Sequence, residues 1–155
     1  MEMHIRKAET WDVPAFAEII RDLGWFAHVN AETPEETQAR ISRHLALCLA
    51  DKSHSLHVAL DPHGEIVGYV SVHWLPYLIL AGPEGYVSEL FVKDIARGKG
   101  IGTKLLEAVI AEARERGCAR LMLLNGRHRD AYGREFYKKC GWTERPEMAN
   151  FVYYL

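Results

Sequence analysis

The 155-residue chain has only three cysteines, Cys48, Cys118 and Cys140, and no C-x-x-C pair. So odd and scattered a set builds neither a disulfide framework nor a thiolate metal site, and reduced thiols in a cytoplasmic protein are expected. Long apolar runs are missing as well. The richest stretch, "ISRHLALCLA", carries charge and falls well short of a bilayer span, so no membrane role is expected. The first residues, "MEMHIRKAET", lack the apolar core of a secretory leader. No repeat, low-complexity tract or Pro/Gly/Ser linker divides the chain, and a single domain over 1–155 is expected. That length buries roughly 70% of the unfolded surface. No basic stripe interleaved with aromatics marks a nucleic-acid surface.

What is present is an uneven charge distribution. The net charge is −2, yet residues 93–139 hold twelve Lys/Arg against six Asp/Glu, and the remainder holds seven against fifteen. A basic segment suits a polyanionic ligand, and acidic surroundings attract a cationic partner. For most of these side chains the simpler reading is a solvated helix face.

The patterning alternates strands and helices. "HIRKAE" reads as a first strand. "TWDVPAFAEIIRDLGW" reads as a helix with Val13, Phe16, Ile19, Ile20 and Leu23 on one face and Gly24 ending it. "TPEETQARISRHLALCLA" opens with a capping box: Thr33 at the cap, Pro34 first in the helix, Glu36 three residues on. "SLHVALDPHGEIVGYVSVHW" is an antiparallel hairpin turning at Asp-Pro-His-Gly. "YVSELFV" is a strand, and a helix follows with Ile101, Leu105, Val109 and Ala113 in one stripe, Leu106 and Ile110 widening it, and Gly117 as its stop. "ARLMLLN" is a continuously apolar strand. Strand, helix, strand predicts a parallel pair with a right-handed crossover. "RDAYGREFYKKCGW" is expected as a short helix ending at Gly141, and "ANFVYYL" as a last strand. The order predicts an α/β fold with a mixed sheet.

Between "YVSELFV" and its helix lies "RGKGIG". Arg97, Gly98, Lys99, Gly100, Ile101, Gly102 and Thr103 form a basic, glycine-rich turn opening a helix, where unpaired amides receive an anion such as a phosphate. Three alternate glycines cost backbone entropy, which argues against a turn without a ligand. The Walker A and dinucleotide fingerprints both fail, because Thr103 stands where each requires glycine. Arg-x-x-Gly-x-Gly over 97–102 is similar to the pyrophosphate loop of the GNAT superfamily of acetyl-CoA-dependent N-acetyltransferases. "YVSELFV" resembles that family's fourth strand, and "LNGRHRDAYGREFYKKCGW" resembles its "N…A…FYxxxGF" segment, with Trp142 for the usual Phe. The resemblance implies a GNAT-like fold, a mixed and mostly antiparallel sheet with a central parallel βαβ pair and flanking helices. It also implies acetyl-CoA as co-substrate, held by residues 97–103, and a homodimer; no metal is expected.

Glu89 sits mid-strand, expected on one face with Val87 and Phe91. A carboxylate in an apolar strand has its pKa raised, which suits a general base, and the resemblance implies that role. A Glu paired with a cation or turned to solvent is the alternative. Tyr137 matches the tyrosine that the family uses as general acid toward the departing thiolate; the alternative is a core tyrosine bonded to a carbonyl. Tyr132, five residues earlier, is the weaker acid candidate. The resemblance further implies that Asn125 and the backbones of Phe91 and Val92 hold the pantetheine arm; for Asn125 a local turn is equally open.

The acceptor carries no motif. The acidic balance favours a small cationic amine, with a protein N-terminus or lysine as the second reading and a silent acyl-CoA-binding regulatory module or a nucleotide-binding protein as rivals. Trp25, Phe26, Trp74 and Tyr77 are candidates for an acceptor pocket or for core. Eight histidines, with "HSLH" at 54–57, lack the spacing of a metal site.

Overall fold

The computed structural model describes residues 3–155. Its elements fall in two units, one ending at Leu123 and one running from Leu124 to Leu155. The first holds a five-stranded sheet in the order β1-β2-β3-β4-β5. Strands β1 (His4–Lys7), β2 (His54–Leu60), β3 (Ile66–Leu75) and β4 (Glu84–Val92) are successively antiparallel, and β5 (Arg120–Leu123) runs parallel to β4. The sheet is mixed, as the element order predicts, and mostly antiparallel with one parallel pair, as the family resemblance implies.

The local signals explain the boundaries. Helix α1 (Val13–Leu23) ends at Gly24, whose φ of 68° is left-handed and whose N–H donates to the Arg21 carbonyl. A short helix, α2 (Ala27–Ala31), follows that no sequence signal announced. At α3 (Pro34–Leu49) the capping box is made in full. Glu36 N–H donates to Thr33 Oγ1 at 3.1 Å, and Thr33 N–H to Glu36 Oε2 at 2.8 Å. The hairpin turn is held by Asp61 Oδ1, which accepts from the amides of His63 and Glu65. Helix α4 (Ile101–Glu115) buries Ile101, Leu105, Leu106, Val109 and Ala113, the stripe read from the sequence plus Leu106.

Helices α1 and α3 cover one sheet face, where Phe16, Ile19, Ile41 and Leu45 pack with Leu56, Val58 and Tyr69. Helix α4 covers the other. There Glu112 accepts from Lys7 Nζ at 2.7 Å and Ser55 Oγ at 2.7 Å, and lies 3.1 Å from His57 Nε2.

Three expectations need correction. "ANFVYYL" forms no strand in this structure; its residues have no strand partner, and a strand without one has no ladder to join. The helix expected over 129–142 is two four-residue turns, α5 (Asp130–Gly133) and α6 (Phe136–Lys139), interrupted at Glu135, whose φ of 55° cannot continue a right-handed helix. Finally, Glu89 does not share a face with Val87. The ladder skips Ser88, so Glu89 lies opposite Ser71 while Val87 lies opposite Val72, on the α4 side. A bulge of one residue reverses the count of two on which that reading rested.

Candidate active site

The bulge at Ser88 decides where the candidate base points. Glu89 and Phe91 face the α1/α3 layer together with their cross-strand neighbours Ser71 and Tyr69. The Tyr69 hydroxyl donates to Glu89 Oε1 at 2.9 Å. Tyr69 is itself 1% exposed and packs edge-on to Phe16 and Phe91. Burial pushes the Glu89 pKa above the ordinary carboxyl range. The Tyr69 hydrogen bond and the charges of Arg40 and His44 pull it down without cancelling that effect.

Arg40 and His44 stand four residues apart on α3, as does Cys48 after them, so one stripe of that helix addresses Glu89. Arg40 is locked by a bidentate pair to Glu32, Nε to Oε2 at 2.9 Å and Nη2 to Oε1 at 2.8 Å. Arg21 braces the α2–α3 connection by donating to the carbonyl of Glu32 and to Thr37 Oγ1, both at 2.9 Å. Sequence reasoning missed Tyr69, Arg40 and His44. Their only signal is a four-residue spacing on a helix and a tyrosine on a neighbouring strand, neither readable before the register is known.

Strand β4 outruns its parallel neighbour. The β4–β5 ladder ends at Val87 opposite Leu123, while β4 stays paired with β3 to Val92. From Ser88 onward, among the described residues, β4 therefore has a strand partner on one side only. Lys93 N–H donates to the Val67 carbonyl at 2.8 Å. By the two-residue alternation of a strand, the Phe91 backbone groups also face β3, and those of Leu90 and Val92 face the side that β5 has left. Of the two expected pantetheine contacts, Val92 has its polar backbone on that side and Phe91 does not.

The glycine turn follows directly. Gly98 and Gly100 have φ of 75° and 77°, and a Cβ built on either meets nothing within 4 Å. The turn thus winds left-handed at alternate residues beside open space, a geometry that aims successive amides at an anion. The first intrahelical bond of α4 is Lys104 N–H to the Gly100 carbonyl at 3.0 Å, so the amides of Ile101 and Gly102 precede it. Arg97 pairs with Asp94 at 3.0 Å, leaving Lys99 as the turn's other cation; Thr103 lies in the first turn of the helix. Gly68 on β3 sets the height of this helix start. A Cβ there would lie 3.0 Å from the Phe91 carbonyl oxygen and 3.3 Å from Ile101 Cγ2.

The four aromatic candidates part company. Trp25 and Phe26 contact Phe91 at ring-centroid distances of 5.7 and 6.2 Å, which brings them beside the Glu89 face. Trp74 does not come there. It donates from Nε1 to Ser55 Oγ at 3.0 Å and lies under Arg116 on the α4 side. Tyr77 lies toward Glu84, at the far end of β4, and desolvation followed by the Glu84 charge raises its pKa. His54 and His57 also separate: His54 stacks edge-on with His73, and His57 meets Glu112.

In the second unit Tyr137 is half-buried between Phe136 and Trp142, and burial pushes its pKa up to about 12. Its phenol keeps its proton at neutral pH. Tyr132 instead donates its hydroxyl to Glu144 Oε1 at 2.9 Å. Asn125 lies two residues past β5 and is half-buried.

Comparison with known proteins bears on the same residues. The model of the acetyltransferase (GNAT) family matches residues 17–142. An L-methionine sulfoximine/L-methionine sulfone acetyltransferase of Pseudomonas paraeruginosa is 35% identical over 76% of this chain and 67% of its own. An aminoglycoside N(6')-acetyltransferase type 1 of Stenotrophomonas maltophilia is 28% identical over 95% of this chain and 90% of its own. Among solved structures, a protein described as a transcriptional regulator from Bacillus halodurans C-125 superposes with a TM-score of 0.84 at 27% identity, over 98% of this chain and 100% of that one. A basic glycine turn on a helix start, beside a strand with a half-buried carboxylate, is thus set in a sequence that the family model covers from α1 to Trp142. The chain belongs to the GNAT family and is an acetyl-transferring enzyme.

Proposed function

We propose that this enzyme transfers the acetyl group of acetyl-CoA to the primary amine of a small molecule by direct attack in a ternary complex. The observation that carries the reading is Glu89: a half-buried carboxylate with a raised pKa, oriented by Tyr69, on the stretch of β4 that β5 leaves uncovered. Residues 97–103 supply the amides and charge for a pyrophosphate. The Val92 backbone, with Asn125 as a second contact, is the proposed hold on the pantetheine arm.

The amine nitrogen forms the new bond to the acetyl carbon as the carbon–sulfur bond breaks. Glu89 takes the amine proton, directly or through water. Tyr137 gives its proton to the departing sulfur. Positioning of the two substrates supplies much of the acceleration. Trp25 and Phe26, packed on Phe91, line the acceptor side. A small cationic amine remains the favoured acceptor, consistent with relatives named for an amino-acid analogue and an aminoglycoside; a protein amine is the second choice. We read 1–155 as one N-acetyltransferase domain, since the family match runs across the boundary at Leu123.

A silent acyl-CoA-binding regulator is the rival, suggested by the relative described as a transcriptional regulator. Steady-state thiol release across an amine panel, for wild type, Glu89→Gln and Tyr137→Phe, separates them. Turnover that falls about 10²-fold or more in either variant supports the enzyme with these roles. Acetyl-CoA binding without thiol release above background on any amine supports the regulator.

A further inference from the structure

The Val92 backbone and the glycine turn, two contacts proposed for one ligand, are joined by a stretch of chain with little stiffness of its own. It consists of one 3-10 turn, Asp94–Ala96, followed by Gly98 and Gly100. Glycine has the most freedom to lose on ordering. Both ends of the stretch rest on β3, where a Cβ on Gly68 would lie 3.3 Å from Val92 Cγ2 and 3.3 Å from Ile101 Cγ2. Within it Ala96 is buried, and Arg97 pairs with Asp94 without reaching another element.

Lys93 does reach one. Its N–H donates to the Val67 carbonyl on β3 at 2.8 Å, and its carbonyl accepts from Ala96 N–H at 2.9 Å. Its Nζ donates to Glu18 Oε1 on α1 at 2.9 Å. The Lys93 side chain is only 15% exposed and that of Glu18 is 58%, so the stem lies in protein and the ammonium emerges at α1. A pair with so exposed a partner adds little to stability. What it supplies is place, because it ties the end of β4 and the start of the turn to a helix. A ligand held at two points gains from the second only when the spacing is set before it binds.

We propose that Lys93, held by Glu18, is a positioning residue that sets the spacing between the pantetheine contact at Val92 and the pyrophosphate contact at residues 97–103. The inference rests on acetyl-CoA as the ligand of both contacts. The competing role is a Lys93 charge that acts on the pyrophosphate directly, and Glu18 separates the two by sign. Glu18→Gln removes a negative charge and releases the ammonium, so a direct role makes CoA bind more tightly and a positioning role makes it bind more weakly.

The test is calorimetric titration of the full chain with CoA and with pantetheine, which lacks the pyrophosphate; neither titration needs an acceptor. Wild type should bind CoA at least about tenfold more tightly than pantetheine. Glu18→Gln and Lys93→Met should each cut that ratio by about tenfold through CoA alone, with pantetheine affinity within about twofold of wild type. A ratio that Glu18→Gln raises or leaves unchanged overturns the proposal. So does a loss that falls on pantetheine equally, the mark of a damaged fold. Equal binding of CoA and pantetheine by wild type removes the pyrophosphate reading of residues 97–103 itself, and the proposal with it.

Discussion

Tyr69 on β3 donates its phenolic hydrogen to Glu89 Oε1 on β4 across 2.9 Å, and the pair sits on the sheet face covered by α1 and α3. Burial raises both pKa values, that of Tyr69 well above its ordinary value and that of Glu89 above its own. The hydrogen bond therefore favours the Glu89 carboxylate while the surroundings favour the acid.

The rate should reflect that balance. kcat/KM is expected to rise with pH as Glu89 loses its proton, with the midpoint above the ordinary carboxyl value of 4.5. Tyr69→Phe removes the bond that stabilises the carboxylate, so the midpoint should move to higher pH. Glu89→Gln should abolish this limb and lower kcat/KM by about 10²–10⁴-fold. An acidic limb that persists unchanged in Glu89→Gln would assign the base elsewhere.

Stability should move the other way. A carboxyl whose folded pKa is raised contributes stability below 4.5, and that contribution is lost as pH climbs through the folded value. Near neutral pH the ionised Glu89 is a cost to the fold, and Gln keeps an oxygen for the Tyr69 hydroxyl. Glu89→Gln is thus expected to raise Tm at pH 7 and to leave it nearly unchanged at about pH 4. Thermal scans at the two values check the sign.

Glu112 predicts the opposite pH dependence. Burial raises its pKa, but Lys7, Ser55 and Arg116 outweigh that and bring it down to about 2. Its contribution is present above the ordinary 4.5 and is lost as pH falls toward about 2. Glu112→Gln should lower stability by about 1–3 kcal/mol at pH 7, by leaving Lys7 and Arg116 without their carboxylate. The deficit against wild type should shrink steadily in denaturant titrations taken below pH 4.5.

Gly68→Ala tests the seating of the glycine turn. The new Cβ would press on the Phe91 carbonyl and on Ile101, the first residue of α4. A stability loss of about 1–3 kcal/mol is expected from the overpacking. If α4's start holds the co-substrate, KM for acetyl-CoA should rise by more than kcat falls, which initial-rate kinetics will separate. A variant with lowered Tm and unaltered KM would detach the turn from the binding of acetyl-CoA.

Much of the molecule was legible because its signals are local. The capping box at Thr33, the turn at Asp61, the glycine stops at Gly24 and Gly117 and the buried stripe of α4 each depend on residues within one or two turns of chain. The glycine turn belongs with them: positive φ at Gly98 and Gly100 is a demand that neighbouring residues can announce by themselves.

The partners of Glu89 were not legible, because long-range pairing chose them. The bulge at Ser88 separates Val87 from Glu89, and Tyr69 reaches the carboxylate only through the β3–β4 register. Arg40 and His44 come from a helix some forty-five residues earlier in the chain. Trp74 and Tyr77 look like pocket aromatics in one dimension, and they turn instead to Ser55 and Glu84. The sequence by itself determined most of the elements, their caps and the left-handed glycine turn, since each is a short-range preference of the backbone, but not α2, the break at Glu135 or the fate of residues 149–155. The tertiary structure alone decided which face Glu89 occupies, what perturbs its proton and which aromatics join it. Register and burial are properties of strands and helices packed together, and no single stretch of chain contains them.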